Sequence, residues 1–177
     1  MIDELNQALE TYQVKWRALV DDRHNKAFFE KLKPTAVGWK VTDRTEYDKL
    51  LAELRAHCDQ IFDVWMNGRW IAKMHLRDKS LSGGIEVIKL MERRPGSTDA
   101  VGLDHVDFYG ADVAHADEIL AQESGITWTH ETNDIMPDYS WTSVWFDNTE
   151  AKLRTYTVLD VCIAEMQRTR AHIISKE

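Results

Sequence analysis

The sequence predicts an α+β fold in which a βαβββ unit occurs twice, preceded by an N-terminal helical segment. Three observations predict it. An alternating strand, an acidic turn and an amphipathic helix occur in "TAVGWKVTDRTEYDKLLAELRAHC" and recur about 67 residues on in "GLDHVDFYGADVAHADEILAQESG". Short extended runs follow each copy. Ahead of both, the chain shows the apolar spacing of a helix rather than a strand.

Taken in order, residues 2–33 place Ile2, Leu5, Leu9, Tyr12, Trp16, Leu19 and Val20 at helical spacing. Phe28, Phe29 and Leu32 follow the polar stretch "DDRHNK", which predicts two helices or one broken helix, ended by Pro34. The first module, about residues 35–96, has a strand over "TAVGWKV". Its helix opens on Asp43 with Glu46 three residues later, a capping-box pattern. Strands are expected over "QIFDVWM", "RWIAKMHL" and "IEVIKLM", the first two joined by a tight turn at Asn67–Gly68. The second module, about residues 102–158, has "GLDHVDFYG", a helix, then "ITWTHET", "YSWTSVWF" and "AKLRTYTV". A C-terminal helix is expected over about residues 159–174, so residues 1–33 form a helical segment and 34–177 one domain. Neither module alone covers its sheet edge and apolar face, so the two should pack together.

Bulk properties narrow the function classes. Of 177 residues, 44% are apolar and 29% charged, a globular composition. The net charge of −8, with no basic stripe interleaved with aromatics, argues against a nucleic-acid partner. No apolar run approaches the roughly 18 residues of a membrane span, and "MIDELNQALE" is unlike a signal peptide. Cys58 and Cys162 form neither a C-x-x-C pair nor a framework of pairs, so the expectation is a cytoplasmic protein with two reduced thiols. No nucleophile motif, phosphate loop or dinucleotide fingerprint is present, and "SGGIEV" lacks the helix that phosphate binding requires.

The candidate chemistry lies on "VGLDHVDFYG". A period of two places Leu103, His105, Asp107 and Tyr109 on one face, and Asp104, Val106 and Phe108 on the other. Val106 and Phe108 should pack under the second helix and Trp39 under the first. Trp65, Trp70, Trp141 and Trp145 fall on middle strands, where core packing is the expectation over a pocket wall. The acidic helix faces at Glu46, Asp48, Glu53, Asp117 and Glu118 read as solvated surface.

The duplicated βαβββ order resembles the vicinal-oxygen-chelate family, which includes glyoxalases, extradiol dioxygenases and bleomycin-resistance proteins. "MNGRWI", "RRPG" and "LDHVDF" are similar to the YecM-like proteins of bacteria, over roughly residues 30–165. The resemblance implies a mixed sheet curved into a cup. It also implies a divalent ion (Zn, Mn, Fe or Ni) held by a His on the first strand and a carboxylate on the last strand of each half. Such an ion acts as a Lewis acid on two neighbouring substrate oxygens. Carried across, the second-half histidine matches His105, while the first-half histidine falls on Gly38. The carboxylates fall near Met91, with Glu92 beside it, and near Lys152. His105, Glu92 and Glu86 are then the metal candidates, with His75, His130 and Glu131 as further donors and Asp107 positioned to orient His105. Arg69, Asp107, Tyr109 and Lys152 are the ligand-binding candidates, since Arg69 and Lys152 would neutralise a carboxylate or phosphate without metal. The expectation that follows is a small-molecule-binding protein whose cup has lost most of its metal site. The alternatives are a divalent-metal lyase, isomerase or dioxygenase using His105 with rebuilt ligands, and a dimeric interaction module.

Overall fold

A computed structural model describes residues 1–66, 68–110, 113–132 and 139–174. Asn67 of the expected tight turn lies outside the described residues; Gly68 takes φ +75°, a left-handed value suited to glycine.

The chain runs α1 (Ile2–Asp21), α2 (Lys26–Phe29), β1 (Lys33–Val41), α3 (Arg44–Arg55), β2 (Cys58–Met66), β3 (Arg69–Leu76), a 3-10 turn at Lys79–Ser82, and β4 (Val87–Glu92). It continues with β5 (Gly102–Tyr109), α4 (Val113–Leu120), β6 (Thr127–Glu131), β7 (Trp141–Phe146), β8 (Thr149–Arg154) and α5 (Val158–Ile174). Both modules are βαβββ units, and all eight strands form one mixed sheet in the order β2-β3-β4-β1-β5-β8-β7-β6. The order is palindromic about the β1/β5 seam: each module's first strand lies centrally and its last strand runs parallel beside it. This α+β sheet of duplicated βαβββ modules is the cupped mixed sheet that the sequence predicts.

Local chemistry explains the elements. Leu5, Leu9, Tyr12, Trp16 and Val20 form the buried stripe of α1, three or four residues apart. That stripe covers the second module: Trp16 stacks on Phe108 at 4.5 Å between ring centroids, and Tyr12 meets Phe146 edge-on at 5.4 Å. Asp43 caps α3 by accepting from the Glu46 backbone N–H at 3.0 Å, while the Glu46 side chain accepts from the Thr42 N–H at 2.7 Å. Tyr47, Leu50, Leu51 and Leu54 then face the sheet.

The two sheet faces are chemically distinct. Val37, Ala72, Ile88, Leu90, Val106 and Phe108 point to the core beneath α1, α3 and α4. The opposite face carries Lys73, Lys89, His105, Asp107, Lys152 and Arg154 and forms the inside of the cup. There α5 closes one end, packing Val158 and Cys162 on Ala36 and Val87. No described helix is long and apolar enough to cross a membrane.

A cationic cup at the module seam

Strand register defines the floor of the cup. At the antiparallel seam, Gly38 lies opposite His105. In the first module Gly38 pairs with Lys89 across the parallel β1/β4 ladder, and in the second His105 pairs with Glu150 across β5/β8. The internal symmetry therefore equates Gly38 with His105 and Lys89 with Glu150. At these four positions the first and last strands of each half pair beside the seam; Met91 and Lys152 lie two residues further along the same face.

His105 is buried, and its ring lies flat over Gly38. A Cβ at position 38 would come within 2.5 Å of His105 Cε1 and 2.7 Å of Nδ1. A β-bulge holds the ring from the other side. Gly38 pairs with His105 but Trp39 with Leu103, so Asp104 is the extra residue. The bulge brings Asp104 alongside its neighbour, where its carboxylate accepts from His105 Nδ1 at 2.8 Å and pairs with Lys40 at 2.6 Å. Burial would raise the Asp104 carboxyl, but the bonds from His105 and Lys40 outweigh it and hold it well below the ordinary range. An ionised carboxylate only accepts, so Nδ1 carries the proton. Among the described residues His105 Nε2 has no hydrogen-bond partner; it lies 3.4 Å from Asp107. Burial, then Lys152 and Lys89, push the imidazole pKa down and favour the neutral ring.

Asp107, fully buried, anchors the cations beneath the cavity. Arg154 Nε donates to its Oδ1 at 2.5 Å, and the Lys89 ammonium lies 2.5 Å from Oδ2. Burial alone would raise the Asp107 carboxyl; Arg154 and Lys89 hold it well below the usual range. Burial is the largest influence on Lys89 and, with Arg154 and Lys152 nearby, brings its ammonium down to about 7 against the pull of Asp107. Arg154 also donates to the Tyr156 hydroxyl at 2.8 Å and stacks over Trp141 at 4.7 Å. Lys152 sits 3.5 Å from Glu150, whose carboxylate accepts from Ser143 at 2.6 Å.

Above this floor is a cavity of about 420 Å³. Its walls include Met66, Arg69, Ile71 and Met91 from the first module, Glu131 and Trp141 from the second, and Val158, Val161 and Glu165 from α5. Lys73 ties that helix to the sheet through Glu165 at 2.8 Å. Among the described residues Arg69 and Arg94 line the cavity without a carboxylate partner within 4.0 Å.

The candidate residues separate accordingly. His105, Lys152 and Arg69 border the cavity, and Asp107 lies directly below it. Glu92 lies on the helix side of the sheet because β4 has no bulge; its carboxylate accepts from the Trp70 N–H. Glu86 precedes β4, pairs with Lys79 and does not line the cavity. Tyr109 ends β5 exposed and likewise does not line it. His75 is held by Asp59 at 2.6 Å, and His130 by Asp117 at 2.9 Å, whereas Glu131 does reach the cavity. Asp117 also accepts from Thr142 at 2.6 Å, so it braces the sheet rather than facing bulk water. Trp141 walls the cavity instead of filling the core, and Trp65 and Trp145 are 58% and 44% exposed. Sequence reasoning missed Lys89, Asp104, Glu150 and Arg154, because parallel register and the bulge have no local signature.

The donors do not fit the divalent ion that the sequence resemblance implies. Oxygen and nitrogen atoms of Asp104, His105 and Glu150 lie within 4.8 Å of one another. Both carboxylates are already engaged, Asp104 by Lys40 and His105, Glu150 by Ser143 and Lys152. Lys89, Lys152 and Arg154 add positive charge to the same floor, and a cation placed there would meet their repulsion. The position equivalent to Glu150 holds a lysine, and the one equivalent to His105 has no side chain.

Neither the protein-family models nor the curated proteins give a match. Solved structures do. A structural-genomics target described as protein EC4020 is 13% identical over 92% of this chain and 93% of that chain, with a TM-score of 0.64. A hypothetical protein from Bacillus halodurans is 13% identical over 70% and 94% of the two chains, with a TM-score of 0.48. Methylmalonyl-CoA epimerase from Mycobacterium tuberculosis is 16% identical over 68% and 85%, also at 0.48. The first of these likenesses spans nearly all of both chains and concerns the fold.

Proposed function

We propose that this protein binds a small molecule in the cup and does so without a metal ion. The observation that carries the reading is the set of four seam positions, Gly38, Lys89, His105 and Glu150. Where the family's arrangement calls for two donors from the first module, this chain has no side chain and a buried ammonium. A cavity of about 420 Å³ is within the usual range for small-molecule pockets, roughly 300–1,000 Å³. We propose that the chain belongs to the YecM-like branch, a reading supported by the motifs "MNGRWI", "RRPG" and "LDHVDF".

The competing reading is a divalent-metal lyase, isomerase or dioxygenase, and the grouping of Asp104, His105 and Glu150 favours it. That enzyme would have to displace Lys40 from Asp104 and Lys152 and Ser143 from Glu150 before an ion could enter. Calorimetric titration of zinc, manganese and nickel into chelator-stripped protein separates the two. The metal-free reading expects no saturable binding tighter than about 1 mM; micromolar one-to-one binding, lost in His105→Ala, would overturn it.

A further inference from the structure

Resting on the metal-free reading above, the charge balance of the floor identifies the class of ligand. On the floor Lys89, Lys152 and Arg154 outnumber the carboxylates Asp107 and Glu150 by one, and at the wall Arg69 and Arg94 have no carboxylate partner within 4.0 Å among the described residues. Like charges crowded in a water-poor site repel, and burying them is costly unless each finds a partner. Arg154 and Lys89 share Asp107, so among the described residues of the floor these two cations have one carboxylate between them. Among the described residues Arg69, at the wall, has a buried Nε with no hydrogen-bond partner, and burial depresses its guanidinium pKa. The Trp141 indole N–H is likewise buried without an acceptor among them. Around an open cavity, these donors and the surplus charge make, among the described residues, a polar network open to an anion.

The remaining walls describe what that anion is attached to. Met66, Ile71, Met91, Trp141 and Val158 are apolar, and Trp141 is held rigid beneath the Arg154 guanidinium. We propose that the cup binds a small carboxylic acid with a flat or apolar body, its carboxylate seated on Lys89, Lys152 and Arg154. The apolar walls call for a ligand with an apolar body, which free phosphate lacks, and guanidinium and ammonium groups bind carboxylates through short charge-assisted bonds. Lys89 then supplies, from the first module, a fixed positive charge at the seam in place of a bound ion.

The test uses the full chain, stripped with chelator and kept at constant ionic strength, near pH 6.5 so that Lys89 is mostly charged. Benzoate, phenylacetate, benzyl alcohol and inorganic phosphate are titrated by calorimetry, with thermal shifts in parallel. The expected result is saturable one-to-one binding of benzoate or phenylacetate, with benzyl alcohol weaker by about tenfold or more, the loss of charge-assisted bonds. Lys152→Met should weaken benzoate by about tenfold as well, measured at a temperature where the variant is folded, since the change also leaves Glu150 with Ser143 alone. Lys89→Met is the second variant and should weaken it at least as much. Preference for phosphate over benzoate, equal binding of benzyl alcohol, or benzoate binding indifferent to both variants would overturn the proposal. So would the absence of binding by either acid; if metals also fail to bind, the metal-free reading survives that outcome and only the ligand class falls.

Discussion

Replacing Gly38 with alanine tests the seam most sharply. The added Cβ would lie 2.5, 2.7 and 2.9 Å from Cε1, Nδ1 and Nε2 of His105, against 3.4 Å for ordinary contact. One methyl therefore overlaps the imidazole by nearly 1 Å on its whole flat face. Backbone relief is limited, because β1 is hydrogen-bonded between β4 and β5. If the ring stays, overpacking costs about 1–3 kcal/mol. If it swings away, its bond to the Asp104 carboxylate is lost, at about 1.5–3 kcal/mol. Reduced backbone freedom in the unfolded chain returns about 0.4–1 kcal/mol. The net loss should be about 0.5–2.5 kcal/mol, read in urea as a lower midpoint with an unchanged slope. In a His105→Ala background the same substitution should cost less than about 0.5 kcal/mol, since the obstructing ring is gone. A Gly38→Ala protein as stable as the wild type, or one equally destabilised with and without His105, would refute the stacked arrangement.

Three other outcomes follow from the charges beneath the cavity. Arg154→Met should destabilise by about 3–5 kcal/mol in urea melts, because it strips the buried Asp107 of one of its two cations; a loss under about 1 kcal/mol would mean Lys89 alone suffices. The Lys89 ammonium falls to about 7 in the folded protein from an ordinary 10.5, so between these values the unfolded chain binds more protons. Wild-type stability should therefore rise relative to Lys89→Met as pH increases from about 7 toward 10.5, and a flat difference across that window would contradict the burial argument. Benzoate affinity should fall over the same range as Lys89 loses its proton, measured by calorimetry in buffers of matched ionic strength, whereas affinity constant to pH 9 would take Lys89 out of the site.

The fold was legible because the same local grammar occurs twice. Two alternating strands, each followed by an acidic turn and an amphipathic helix, can satisfy their edges only by pairing with each other, and β1 does pair with β5. His105 on the inner face, and the missing side chain at Gly38, were equally readable from a period of two. What failed was register between strands separated by a whole module. Lys89 and Glu150, the register partners of Gly38 and His105, lie two residues before Met91 and Lys152, and nothing in a parallel strand records which residue faces its distant partner. Asp104 escaped for a different reason: alternation assigns it to the helix side, and the bulge that returns it to His105 is a property of the pairing. Glu92 was the converse error, a carboxylate that needed a bulge in β4 where the ladder is regular. The tryptophans misled because strand position reveals burial only after the occupied faces are known; Trp141 faces a cavity and Trp65 the solvent.

The central claim, that a tethered ammonium from the first module stands where an ion would otherwise be required, is tested most directly by elemental analysis. Wild-type protein and Lys89→Glu, both purified without chelators, are compared for bound divalent metal. The account predicts less than about 0.1 equivalent in the wild type and a rise toward one equivalent in the variant, where a carboxylate joins His105 and Glu150. Wild-type protein that already carries close to one equivalent would contradict it.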